Sequence, residues 1–167
     1  MDSLLFEVKS DYTAWLIDHY HWAWPACETL HFMGMALLVG IVGLVDLRLL
    51  GVARSLPFAP LQRLLPLAIL GFVINLITGV VFVTAAPGNY ATSIAFRLKV
   101  LFILLAGINV LAFYLTGASR AAAALGPGDD APLPVKSIAA ISLFLWIGVM
   151  FWGLMLPFLL LGSSNAE

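Results

Sequence analysis

The side chains best suited to acid–base or metal chemistry are gathered in one short stretch, His19-Tyr-His21-Trp-Ala-Trp-Pro25-Ala-Cys27-Glu28-Thr-Leu-His31, which holds all 3 histidines of the chain. A neutral imidazole is the commonest protein ligand for a metal ion and also titrates near neutral pH. Three roles are open to His31: a hydrogen-bonded packing residue, a proton relay or a metal ligand. The metal role is the strongest of these, because Glu28 lies one helical turn before it and two further imidazoles are close in sequence. Haem iron commonly takes an axial imidazole.

His19 and His21 are two apart. On a helix they would diverge, whereas on an extended segment residues i and i+2 face the same way. In that form His19-x-His21 could chelate copper or zinc, with Glu28 or His31 as a third ligand, and imidazole itself does not choose between the metals. The alternative is a pair of interfacial histidines with wet tips. Glu28 could orient an imidazole, ligate a metal, pair with Arg97 or Lys99, or sit at the water boundary. Cys27 is the single cysteine of the chain. It excludes an internal disulfide framework and reads as a small buried filler ahead of a ligand.

These residues must be positioned by elements that the rest of the chain makes plain. Of the 167 residues 62% are hydrophobic and only 10% charged, which is not the composition of a soluble domain. Four apolar runs, near 25–50, 64–85, 97–117 and 138–161, are each long enough to cross a bilayer core, which takes about 20 residues. They run apolar without alternation, and in lipid a helix satisfies its own backbone. The expected fold is therefore all-α: a four-helix transmembrane bundle spanning 25–162, preceded by an interfacial helix and turn over 1–24 and followed by a tail at 163–167.

The interfacial helix is read over residues 3–18. Leu5, Val8, Tyr12, Trp15 and Leu16 form its apolar face, with Glu7, Ser10, Asp11 and Asp18 opposite. Residues 1–21 carry several of these charges and lack an unbroken apolar core, so they do not read as a signal peptide. Pro25 suits the first turn of the following helix, where a missing N–H is harmless. That helix is expected to end at Asp46-Leu-Arg48-Leu-Leu-Gly51, with the glycine after the last turn. Residues 118–135, rich in Ala, Gly, Pro and Asp, are read as a mobile loop.

Arg48, Arg54, Arg63, Arg120 and Lys136 lie at one side of the expected bundle, and Lys9, Arg97 and Lys99 at the other. The excess of cations marks the cytoplasmic side. This places both termini and the histidine stretch on the periplasmic side of a bacterial inner membrane, with the bilayer as the main partner. The net charge of −1 leaves no nucleic-acid footprint.

At membrane depth, Glu28, His31, Met35, Val39, Val42 and Asp46 form one stripe down the first helix. Asn75 and Asn109 fall inside the second and third helices, where each needs an interhelical hydrogen bond or a cofactor contact. Arg97 and Lys99 stand on the side of the histidines and could pair with an anionic group such as a haem propionate, or snorkel to the interface. Asp46 and Arg48 are most simply an ion pair or a helix-end contact. Ala36 with Gly40, and Gly71 with Gly79, offer close-packing faces.

The segments Trp24-Pro25-Ala-Cys-Glu28-Thr-Leu-His31-Phe-Met-Gly34, Asp46-Leu-Arg48-Leu-Leu-Gly51, Gly71-Phe-x-x-Asn75, Phe96-Arg97-Leu-Lys99 and Asn109 together resemble a family of small four-helix bacterial inner-membrane proteins. That family is itself distantly similar to copper-resistance D proteins and small b-type cytochromes. The resemblance implies a haem b within the bundle, His31 as axial ligand, and a link to copper. Related chains carry a histidine near the inner end of the third helix, where this one has Phe113-Tyr114, which argues against a second haem there.

The expectation is thus a membrane redox protein, an oxidoreductase or electron carrier. Haem b is held by His31 with Arg97, Lys99, Asn75 and Asn109 around it, and His19, His21 and Glu28 serve a copper ion or the sixth haem position. Quinone or a periplasmic electron carrier is the expected redox partner, and a homo-oligomer is expected through the glycine faces. The competing readings are a copper- or zinc-binding membrane protein without haem turnover and a structural membrane subunit.

Overall fold

The computed structural model describes Trp15 and residues 19–163. Every regular element among the described residues is helical: α1 (Ala23–Leu50), α2 (Phe58–Gln62), α3 (Leu65–Ala85), α4 (Pro87–Thr92), α5 (Ile94–Leu115), α6 (Ala118–Ala123) and α7 (Leu133–Ser163). Four stretches are long and apolar enough to cross a membrane: α1, α2 with α3, α5, and α7. The protein is an all-α, multi-pass membrane protein. The amphipathic helix expected over residues 3–18 lies outside the described residues, apart from Trp15.

Local chemistry sets the helix ends. Pro25 sits in the first turn of α1, as expected. Gly51 follows the last turn with φ 93°, and the N–H groups of Gly51 and Val52 close on the carbonyls of Arg48 and Leu47. This is the left-handed cap that glycine adopts without a Cβ penalty. The third and fourth spans begin earlier than the apolar runs suggest. Ser93 caps α5 by accepting the N–H of Phe96, and Pro134 is tolerated within the first turn of α7.

The bundle is built from two hairpins. α3 packs along α1, α7 packs along α5, and the hairpins join where α7 meets α1. α3 and α5 hardly touch. Gly34 and Gly71 let α1 and α3 approach: a Cβ on Gly71 would stand 2.7 Å from the Gly34 carbonyl oxygen. Gly148 performs the same service for the Phe102 ring between α7 and α5. Gly40 and Gly79, by contrast, face open space, so the close approach uses Gly34 rather than the Ala36/Gly40 pair.

The end of the bundle remote from His31 holds the larger core. Val45, Leu49, Phe58, Leu61, Ala122 and Val135 pack there. Within it Arg48 is 0% exposed. Its guanidinium makes no ion pair with Asp46. It donates to three backbone carbonyls instead: Leu56 at 2.6 Å, Gly126 at 2.8 Å and Asp129 at 3.2 Å. The first belongs to the connection after α1 and the other two to the connection before α7, so one side chain ties both loops together. The segment expected to be a mobile loop is therefore anchored. Its first part folds as α6, Gly128 N–H donates to the Arg54 carbonyl, and Asp130 bridges Arg54 and Lys136 at 3.2 and 2.7 Å.

Candidate functional site

His31 lies near the middle of the N-terminal half of α1, eight residues past Ala23 and so about 12 Å along the axis. Thr78 lies seven residues before Ala85 at the adjoining end of α3, which gives it a matching depth of about 10 Å. The two meet: His31 Nδ1 is 2.7 Å from Thr78 Oγ1. Thr78 is 5% exposed, and its hydroxyl donates to the carbonyl of Ile74 at 2.7 Å, with Asn75 O a longer second acceptor. A hydroxyl has one proton to give. With that proton spent on the helix, Thr78 Oγ1 accepts from His31 Nδ1–H, and in the neutral ring the lone pair is then on Nε2. Phe82 packs edge-on to the imidazole at 5.4 Å.

The ring lines a cavity of about 280 Å³ that fills the gap between α3 and α5. Its walls are almost wholly apolar: Met35, Phe72, Val83, Val100, Ile103 and Trp146 are representative. Three polar groups interrupt them. Lys99 of α5 lines the cavity and forms no ion pair among the described residues; its ammonium lies beside Gly153 of α7. Asn75 gives its amide N–H to the Gly71 carbonyl at 2.9 Å, and its buried Oδ1 has no partner. Thr84 closes the list. Gly79, with no side chain to fill the space, also faces this cavity.

The other expected site residues are placed as follows. Arg97 turns away from the cavity and donates Nη2 to the Ala91 carbonyl at 2.9 Å. Asn109 is remote. It lies 15 residues into α5 from Ile94, donates to the Ile138 carbonyl at 3.1 Å, and lines a different cavity at the Arg48 end. Glu28 is exposed and accepts from the Trp24 indole N–H at 2.8 Å. His19 stacks on Trp15 at 5.1 Å; both His19 and His21 are exposed. Among the described residues no three His, Cys, Asp or Glu side chains converge. Cys27 is partly buried, with its thiol 3.9 Å from the Thr78 carbonyl.

The short α4 covers this end of the bundle. Burial first, and then the Glu28 carboxylate and Cys27, hold the Tyr90 phenol above its ordinary range. Tyr90 also packs edge-on against Phe96, which lines the cavity.

No family model, curated protein or solved structure matches the chain. The site therefore has to be read from its own chemistry.

Of the residues singled out from the sequence, His31, Asn75 and Lys99 line one cavity, whereas Thr78, the partner of His31, was not among them. The signal was present: Asn75-x-x-Thr78 is a polar pair at i and i+3 in an otherwise apolar helix, at the depth of the histidine. Trp146 and Gly79 carried no such signal, because a tryptophan or a glycine in an apolar helix is ordinary packing material.

Proposed function

We propose that the protein is an integral membrane redox protein of a bacterial inner membrane, carrying a b-type haem in the cavity between α3 and α5 with His31 as an axial ligand. The observation that carries this reading is the His31–Thr78 hydrogen bond. It fixes the ring through Nδ1 and leaves the lone pair on Nε2 of a residue that lines the cavity, which is how metal-ligating imidazoles are held by their outer-shell partners.

The donor set suits such a group. Nε2 of His31 would hold the iron, the Lys99 ammonium would balance an anionic propionate, and the apolar walls would exclude water. At about 280 Å³ the cavity lies just below the range of ligand pockets, about 300–1,000 Å³, and the few contacts between α3 and α5 leave that seam loosely packed. When bound, haem supplies one-electron chemistry whose potential is tuned by ligand, burial and nearby charge. The protein's own part is to orient one imidazole, to place one cation and to keep the site dry. The resemblance to a small four-helix family that is distantly similar to copper-resistance D proteins and small b-type cytochromes supports the same reading, with quinone or a periplasmic electron carrier as redox partner and the His31 end on the periplasmic side.

The test is visible spectroscopy with metal quantification on protein purified from haem-sufficient cells, alongside His31→Ala. A Soret band with stoichiometric iron that disappears in the variant is expected. Absence of the band overturns the reading, and copper or zinc without iron would replace it with metal binding through His19, His21 and Glu28.

A further inference from the structure

A second cavity lies at the opposite end of the bundle, about 130 Å³ in volume, within the large apolar core and lined mainly by α1, α5 and α7. Asp46 of α1 faces it and is 5% exposed. Ser142 of α7 lines the same cavity, and Asp46 Oδ2 has no hydrogen-bond partner. Arg48, the nearest cation in sequence, spends its N–H groups on three loop carbonyls instead. The remaining polar walls are neutral oxygen-bearing groups: Gln62, Asn109, Tyr114, Ser119 and Ser142. One N–H of the Asn109 amide is committed to the Ile138 carbonyl, and its Oδ1 is a neutral oxygen able to coordinate.

A carboxylate buried at membrane depth without a counter-charge is costly and marks function rather than packing. Neither protonation state of Oδ2 is satisfied by protein alone, because an ionised oxygen lacks a donor and a protonated one lacks an acceptor. The space beside it holds several water-sized occupants. One carboxylate among neutral oxygens, with no sulfur or imidazole, is the ligand chemistry of a small hard cation.

We propose that this cavity is a binding site for a small monovalent cation of the sodium class, held by Asp46 with Asn109 and Ser142 as neutral oxygen ligands. The charge is met by the ion, and the neutral donors replace part of its hydration shell. The site is independent of the His31 cavity and of any cofactor bound there.

The experiment is thermal unfolding of the intact protein in detergent, titrated with sodium chloride against choline chloride at constant ionic strength and pH, beginning from sodium-free buffer. Wild type should show a saturable rise in Tm with sodium alone, roughly 5–10 °C at a concentration about 100-fold above Kd. Asp46→Asn should abolish the response, and Ser142→Ala should weaken the apparent affinity. Equal stabilisation by choline, a response that survives in Asp46→Asn, or stability that follows pH and not the cation would each overturn the proposal. Should Asp46→Asn fail to fold, the wild-type comparison of sodium with choline and the Ser142→Ala titration decide it.

Discussion

His31 Nδ1 and Thr78 Oγ1, on neighbouring membrane helices and 2.7 Å apart, fix the orientation and the tautomer of the histidine that lines the cavity between α3 and α5. Replacing Thr78 by Val keeps the shape and removes the acceptor. If His31 ligates haem, Thr78→Val should lower haem affinity about 10- to 100-fold, and Thr78→Ser should restore most of it. Transfer of haem to an excess of an apo-globin, followed by absorbance, measures this. Unchanged retention in Thr78→Val would show that the hydrogen bond serves packing alone.

Arg48 joins two connections that are far apart in sequence. Arg48→Ala should destabilise the protein by about 3 kcal/mol, since it removes three hydrogen bonds from a charged, fully buried side chain to the two loops. Arg48→Lys keeps the charge but cannot spread three donors over the same carbonyls, and should recover only part of the loss. Thermal unfolding in detergent, with proteolysis of residues 118–132 as a local readout, checks both.

The contact of α1 with α3 predicts a difference between two glycines. Gly71→Ala places a methyl group 2.7 Å from the Gly34 carbonyl oxygen and 2.9 Å from the Leu38 nitrogen, so it should destabilise by about 1–3 kcal/mol. Gly40→Ala meets nothing within 4 Å and should not lower stability. Equal losses of stability in the two variants would contradict the packing described.

Asp130 provides a pH dependence with a definite sign. The hydrogen bond from Lys136, followed by the nearby Arg54 charge, holds its carboxyl below the usual carboxylate range. Its contribution is present above the unfolded value, about 3.9, and fades as pH falls through the lower folded value. Asp130→Asn should therefore flatten the acid limb of the Tm–pH curve slightly, as befits an exposed group.

Tyr90 shifts the other way. The folded protein holds the phenol protonated beyond its ordinary range, so stability should fall as pH rises above about 10. Difference titration of tyrosinate absorbance against Tyr90→Phe should give a midpoint that drops in Glu28→Gln, because one source of the upward shift is the Glu28 charge.

The sequence made the four spans plain because lipid demands long apolar helices, and helix ends such as Pro25 and Gly51 carry residue-specific signals. It also marked His31, Asn75 and Lys99, since polar groups stand out against an apolar background. It misplaced Asn109 relative to them. Fifteen residues past Ile94 is about 22 Å down α5, well beyond the depth of His31, and counting from the helix start would have separated the two. The role of Arg48 was not legible at all. Its partners are backbone carbonyls, which every residue possesses, so no pattern of side-chain types announces them.

If His31 holds a redox group, the loose seam between α3 and α5 would set how reagents reach it. An oily molecule dissolved in the membrane could slip sideways between the two helices, whereas a strongly hydrated one would first have to shed its water shell. Selection would begin with partitioning into the acyl chains, before any contact with the imidazole. Assays in micelles would accordingly depend on the ratio of detergent to lipophilic reagent, and activity should be compared at fixed concentration in the apolar phase.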